Sequence, residues 1–302
     1  MSSSPLNTAG RILMATISTP DLQATQTLYN DCFRYKVVDN GKVSEELANS
    51  WAAPAATGKE FVLLGPGRED SYALRLIQDG AGPETSGLRT YGWWALELSV
   101  EDVEQVHEAV KQSGFEVVGA PREMTFDSPV RPMQCAGPNG EVFFLTQFRE
   151  HKSPDAATRA QAFVDQLFIV ILGPPDREQA LRFYEEVLGL KRSDDFEIDY
   201  RSLNWAFGLP TGTTHNLTIL DAGNTAVVQV DQYPDAATPR KVSPGYLPPT
   251  ISMISFVVPS LDQVTADFLS DPVRSNDKPY NGRASAVIRG TAGELIELVE
   301  VA

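Results

Sequence analysis

Four polar side chains stand inside otherwise apolar, strand-like runs: Arg75 in ALRLIQ, Glu97 in WWALELSV, Gln229 in VVQVD and Glu297 in LIELVE. A carboxylate walled in by apolar groups loses hydration, holds its proton more tightly, and becomes suited to proton abstraction near neutral pH. An arginine in the same setting can hold an anion, or simply pair with a carboxylate such as Glu97 or Glu60. Glu297, Gln229, Arg75 and Glu97 are therefore the candidate catalytic groups. Imidazoles are scarce: the chain has 3 histidines. His107 lies in the helix-like run EDVEQVHEAVKQSG and His151 in a polar connection. Only His215 is near a strand, and pairing across the turn DAGN places it opposite Val230, on the face away from Gln229. A centre of two histidines and one carboxylate has almost nothing to build on. The 2 cysteines, Cys32 and Cys135, are far apart and fit a reduced protein better than a disulfide-stapled one.

The elements that position these groups are legible because the chain repeats itself. PDLQATQTLYNDCFRYKVV around Asp21 returns as PDREQALRFYEEVLGLKRS around Asp176, SVEDVEQVHEAV at Ser99 as VPSLDQVTADFL at Val258, and GPNGEVFFLTQF at Gly137 as GTAGELIELVEV at Gly290. Three matches in one order imply two homologous halves. Each half divides again. Short β-type runs such as ILMATIS, FVLLG and YALRLIQ surround a run of helical periodicity opened by Pro20 and Asp21. The order predicts strand, helix and three strands, four times, with SLDQVTADFL as the helix of the last unit. Residues 9–148 and 162–302 are the expected domains, and the polar segment 149–161 the linker.

Bulk properties narrow the class. With 302 residues, 42% of them hydrophobic, the chain can bury two cores. A net charge of −15 argues against nucleic acid, which demands clustered Lys and Arg. No apolar run approaches the length of a membrane span, and the first residues have no basic region followed by an apolar stretch. A cytoplasmic protein without a membrane or nucleic-acid partner is expected, as a monomer or homodimer.

Four βαβββ units, with PDREQALRFYEEVLGL and GELIELVE as the best-matching motifs, resemble the vicinal oxygen chelate superfamily. That group includes glyoxalase I, extradiol dioxygenases, fosfomycin-resistance enzymes and bleomycin-binding proteins. The resemblance implies an α+β fold of tandem glyoxalase-like domains, with paired modules curling into two half-barrel clefts. It also implies up to four inward-facing metal ligands per cleft. In the first half those positions fall on Met14, Arg75, Ala95 and Phe144, none a credible ligand. In the second they fall on Gln229, Met253, Glu297 and either Ile169 or, allowing an insertion, Gln166. The expectation is no cofactor. If a divalent metal were bound, Gln166, Gln229 and Glu297 would hold it.

Strand alternation then gives the expected linings. Met14, Arg75, Trp93, Glu97 and Phe144 should line the first cleft. Gln229, Asn216, Thr218, Met253, Ser255, Glu297 and Gln166 should line the second. Arg201 and Trp205, in the connection DYRSLNWAFGLP, are further substrate-binding candidates, and Trp51 in NSWAAPAATGKE either covers a cleft mouth or anchors its loop. Two readings compete. One is a metal-independent lyase or isomerase that abstracts a proton from a small hydrophobic, aromatic or polycyclic carbonyl compound. The other is a non-catalytic binding protein of the bleomycin-resistance kind. A metal enzyme of glyoxalase or dioxygenase type with a Gln/Gln/Glu site is a third alternative.

Overall fold

A computed structural model describes residues 10–68, 71–79, 87–123, 129–149 and 159–301. Most of the expected linker, including His151, lies outside the described residues. The first module comprises β1 (Ile12–Thr19), α1 (Leu22–Phe33), β2 (Lys36–Lys42), α2 (Glu45–Ser50), β3 (Glu60–Gly65) and β4 (Leu74–Gln78). The second has β5 (Gly92–Val100), α3 (Val103–Lys111), β6 (Glu116–Gly119), β7 (Val130–Ala136) and β8 (Val142–Phe148). The third has β9 (Val164–Gly173), α4 (Arg177–Leu188), β10 (Lys191–Asp199), α5 (Arg201–Phe207), β11 (Thr214–Ala222) and β12 (Thr225–Asp231). The fourth has β13 (Ile251–Val258), β14 (Val273–Arg274), β15 (Ala284–Arg289) and β16 (Leu295–Glu300).

Local chemistry accounts for the helices. Asp21, Asp102 and Asp176 each cap a helix, accepting backbone N–H bonds from Ala24, from Glu104 and Gln105, and from Gln179. Such caps satisfy donors that the first helical turn leaves open. Gly189 ends α4 in the left-handed region at φ 65°, where its lack of Cβ removes the steric cost.

The fourth module departs from expectation. SLDQVTADFL forms only a 3₁₀ turn over Leu261–Gln263. Beyond it Phe268 packs against the large core while Leu269 packs against a different cluster, and the Leu269 N–H donates to Val287 O at 2.8 Å. Neighbouring side chains facing opposite sides require an extended track. Pro272 reinforces it by disfavouring helix at the residue before it.

Each module orders its strands first, fourth, third, second, and modules join in pairs through their first strands. One eight-stranded sheet runs β14-β15-β16-β13-β1-β4-β3-β2, the other β10-β11-β12-β9-β5-β8-β7-β6. The expected clefts within each half are thereby corrected. β1 pairs antiparallel with β13, and β5 with β9, so each sheet takes one module from each half. The largest apolar cluster, including Ile17, Leu74, Leu96 and Val170, packs the helices and the backs of both sheets into one core. It leaves the concave faces for separate clusters.

Candidate functional site

The concave face of the first sheet gathers Met14 and Arg75 from one half with Met253, Ser255 and Glu297 from the other. Thr16 pairs with both Arg75 and Met253, and Ser255 with both Met14 and Glu297. Arg75 and Glu297 form an ion pair at 3.3 Å, with side chains 2% and 0% exposed. Several further hydrogen bonds converge on it. Arg75 Nε donates to Thr16 Oγ1 at 3.0 Å and its terminal nitrogen to Tyr280 Oη at 2.6 Å. Tyr280, Ser255 and Trp51 donate to the Glu297 carboxylate at 2.7, 2.5 and 3.0 Å. The Trp51 ring lies 4.5 Å from the guanidinium carbon. Trp51 follows α2, whose Leu47 and Ala48 enter the same apolar cluster. The β2–β3 connection is therefore a plug that seals this cleft, and Glu297 is committed to Arg75 rather than free to act as a base.

The concave face of the second sheet is open. A cavity of about 450 Å³ is bounded by Glu97, Gln134, Phe144, Tyr200, Arg201 and Gln229 among others. One cross-strand row runs Gln134, Phe144, Glu97, Ile169 over β7, β8, β5 and β9. Glu97 is only half-buried by exposure, yet protein surrounds it on all sides because it stands on the floor of a concavity that water can enter. Burial pushes its pKa up to about 7, opposed by one hydrogen bond from Thr146 Oγ1 at 2.5 Å. Behind the wall, Gln229 Nε2 donates to Tyr200 Oη and to Asp231 Oδ1, both at 2.8 Å. Trp94 Nε1 donates to the other Asp231 oxygen at 3.1 Å. Asp231 is fully buried, and burial raises its pKa to about 7 as well. It does not border the cavity, so among the described residues Glu97 is the single carboxylate there.

Several expected residues stand elsewhere. Trp93 packs into the main core and donates to Leu295 O at 2.9 Å, because a bulge between Trp93 and Ala95 turns Trp94 to the concave side. Ile169 borders the cavity, as direct counting from Asp176 gives; Gln166 does not. Trp205 points to solvent at 57% exposure. Thr218, not His215, pairs with Val230, because the hairpin turn sits at Gly223–Asn224 with an irregularity beyond it. That register carries Leu217 and Ile219 to the cavity and turns Thr218 toward Arg177 and Asp195. Asn216 is exposed and bonds Gln232. His215 pairs with the cavity residue Ile198, so it lies on the concave face after all, held by Asn204 Oδ1 at 2.9 Å. Gln134 and Asp231 were not anticipated. Gln134 carries no motif, and its position across from Phe144 emerges only on pairing β7 with β8.

The donor sets do not fit a divalent metal. The four strand positions in the first cleft hold Met14, Arg75, Met253 and Glu297, whose one carboxylate is matched by a guanidinium. The second holds Ala95, Phe144, Ile169 and Gln229, whose one polar group is a neutral amide. Among the described residues no three His, Cys, Asp or Glu side chains cluster as ligands.

A family model described as "Glyoxalase/Bleomycin resistance protein/Dioxygenase superfamily" matches residues 11–143 and again 166–298. Among solved structures the fold is similar to glyoxalase I from Zea mays, at 19% identity and TM-score 0.63, covering 96% of this chain and 92% of that one. It is also similar to a presumed dioxygenase from Bacillus subtilis, at 11% identity and TM-score 0.63, covering 97% and 86%. A search of curated proteins finds no match. At such identities the likeness to the solved structures establishes the fold alone. No helix among the described residues is long and apolar enough to cross a membrane.

Proposed function

The chain belongs to the glyoxalase/bleomycin resistance protein/dioxygenase superfamily, and from that premise we propose that the open cleft of its second sheet is an enzyme site in which Glu97 abstracts a proton from a small hydrophobic carbonyl compound. The reaction is that of a lyase or isomerase and draws on no resident metal. The observation that carries this reading is Glu97 itself, with a pKa of about 7 on the floor of an apolar cavity and one of its oxygens held by Thr146. A base works best when its pKa lies near the working pH. The aromatic walls, Phe144 and Tyr200 among them, displace water from the reacting carbon.

Removing the proton leaves an electron pair that moves into the carbonyl, forming an enolate. Gln134 is placed to stabilise its oxygen. It stands in the same cross-strand row as Glu97, and no hydrogen bond engages its amide among the described residues. The side chain lies over Gly119, where a Cβ would come 2.1 Å from its Oε1. Protonated Glu97 then returns the proton at a second carbon, completing an isomerisation, or a β-substituent leaves with the electron pair, completing an elimination.

The test is exchange of substrate α-protons for deuterium across a panel of hydrophobic ketones, followed by NMR. Wild-type protein should catalyse exchange, with a rate that rises through about pH 7 as Glu97 ionises. Glu97→Gln should slow it by at least about 100-fold without loss of fold. Full exchange by that variant would remove Glu97 from the role. The binding-protein reading has one observation in its favour: among the described residues the cavity wall offers Glu97 no second carboxylate and no imidazole. Under it, ketones bind with no exchange.

A further inference from the structure

We infer that the ligand of the open cleft is an anion: a flat apolar body inside the cavity, bearing a carboxylate or similar oxyanion at the lip, held by Arg122 and Arg201. This rests on the reading that this cleft is the working site, and it adds the substrate's charge and orientation. The chain as a whole has 40 acidic and 25 basic residues. Among the described residues the balance reverses at this cavity, with two arginines and one carboxylate on its wall. That carboxylate, Glu97, is at the floor.

Burial lowers the pKa of Arg122, and the nearby Arg201 charge lowers it further against an opposing pull from Asp199, so the two guanidiniums are close enough to oppose one another's charge. Among the described residues the one acid acting on both is Asp199, and it serves them poorly. Arg201 Nε approaches Asp199 Oδ2 at only 3.6 Å, and the Asp199 Oδ1 already accepts from Asn204 at 3.1 Å. Arg122 reaches the backbone carbonyl of Asp199, not its carboxylate, at 3.3 Å. Counted over the described residues, two guanidiniums against one carboxylate leave the lip about one positive charge in excess. Phe196, bordering the same opening, is 47% exposed. Paired guanidiniums beside uncovered aromatic surface suit an aromatic acid.

Charge also sets the orientation. An ionised Glu97 repels an anion at the floor, while the lip attracts it. The acid group therefore faces out and the apolar body, with its reacting C–H, faces Glu97.

Calorimetric titration of the full-length protein at pH 8 with naphthoate and with neutral naphthylmethanol tests this. Naphthoate should bind at least about tenfold more tightly, the scale of a charge-assisted hydrogen bond, and raised salt should erode that preference. Arg122→Gln with Arg201→Gln should bring naphthoate down to the level of the alcohol and leave alcohol binding unchanged, which also shows that the cavity remains intact. Arg122→Lys with Arg201→Lys should keep part of the preference. Equal affinities in the wild type, or a preference that survives the Gln pair, overturn the inference while the cleft remains a binding site. If neither probe binds, the inference falls together with the reading it rests on.

Discussion

Two glutamates on equivalent concave faces have opposite fates, and the difference lies in their neighbours. Glu297 accepts from Ser255, Tyr280 and Trp51 and is paired with Arg75, so its oxygens are saturated. Glu97 has one side-chain donor, Thr146, and faces a cavity. A buried pair is costly to break because it leaves one charge unsolvated. Arg75→Met should destabilise the protein by about 3–5 kcal/mol. Adding Glu297→Gln removes the stranded charge while keeping an acceptor for Tyr280 and Trp51, which share one oxygen, and should recover part of the loss. The two changes should couple by about 1 kcal/mol or more in a urea-denaturation double-mutant cycle. Simple additivity would mean that Arg75 and Glu297 contribute independently.

At the scale of elements, the residues that made the repeat visible turn out to be fasteners. Asp21 and Asp176 cap α1 and α4. Tyr29 donates to Glu141, and Tyr184 donates to Glu294 at 2.9 Å. Glu141 and Glu294 sit in the turns before β8 and β16, so each bond ties a helix on one sheet to a turn on the other. Tyr184→Phe should cost about 1–2 kcal/mol, since a buried carboxyl loses a donor. The cost should be larger at pH 8, where Glu294 would have to ionise without that donor, than at pH 5. A pH-independent loss would assign the effect to packing alone. The contrast between α2 and α5 belongs to this scale too. Both bridge the second and third strands of their modules, but Trp51 after α2 fills its cleft while α5 leaves Arg201 at an open lip.

For the whole molecule, buried acids dictate how stability follows pH. Burial raises Glu97, Glu141, Asp231 and Glu294 to about 7. A carboxyl raised above its unfolded value binds its proton more tightly when folded. That stabilisation is present at low pH and is lost as pH climbs from the unfolded value, near 4, through about 7. The melting temperature should therefore fall between pH 5 and pH 7.5 and level off above, and calorimetric melts across that range check it. A net charge of −15 adds self-repulsion in the same direction. A melting temperature that rises over this range would show that these acids are ionised in the folded protein at pH 5.

Sequence by itself determined the repeat, the four-module plan, the main helices of the first three modules and the apolar runs that became strands, because these rest on local periodicity. It also singled out Glu97, Gln229, Phe144 and Arg201, which do border one cavity. Which modules share a sheet was decided only by tertiary structure. The first strands of all four modules have similar apolar patterns, so nothing local states that β1 joins β13 rather than β5. That one pairing moved Arg75 onto Glu297 and Glu97 beside Gln229, separating a sealed cleft from an open one. Bulges at Trp93 and near the hairpin at Gly223 were equally hidden, since a one-residue slip reverses every side chain beyond it without altering composition.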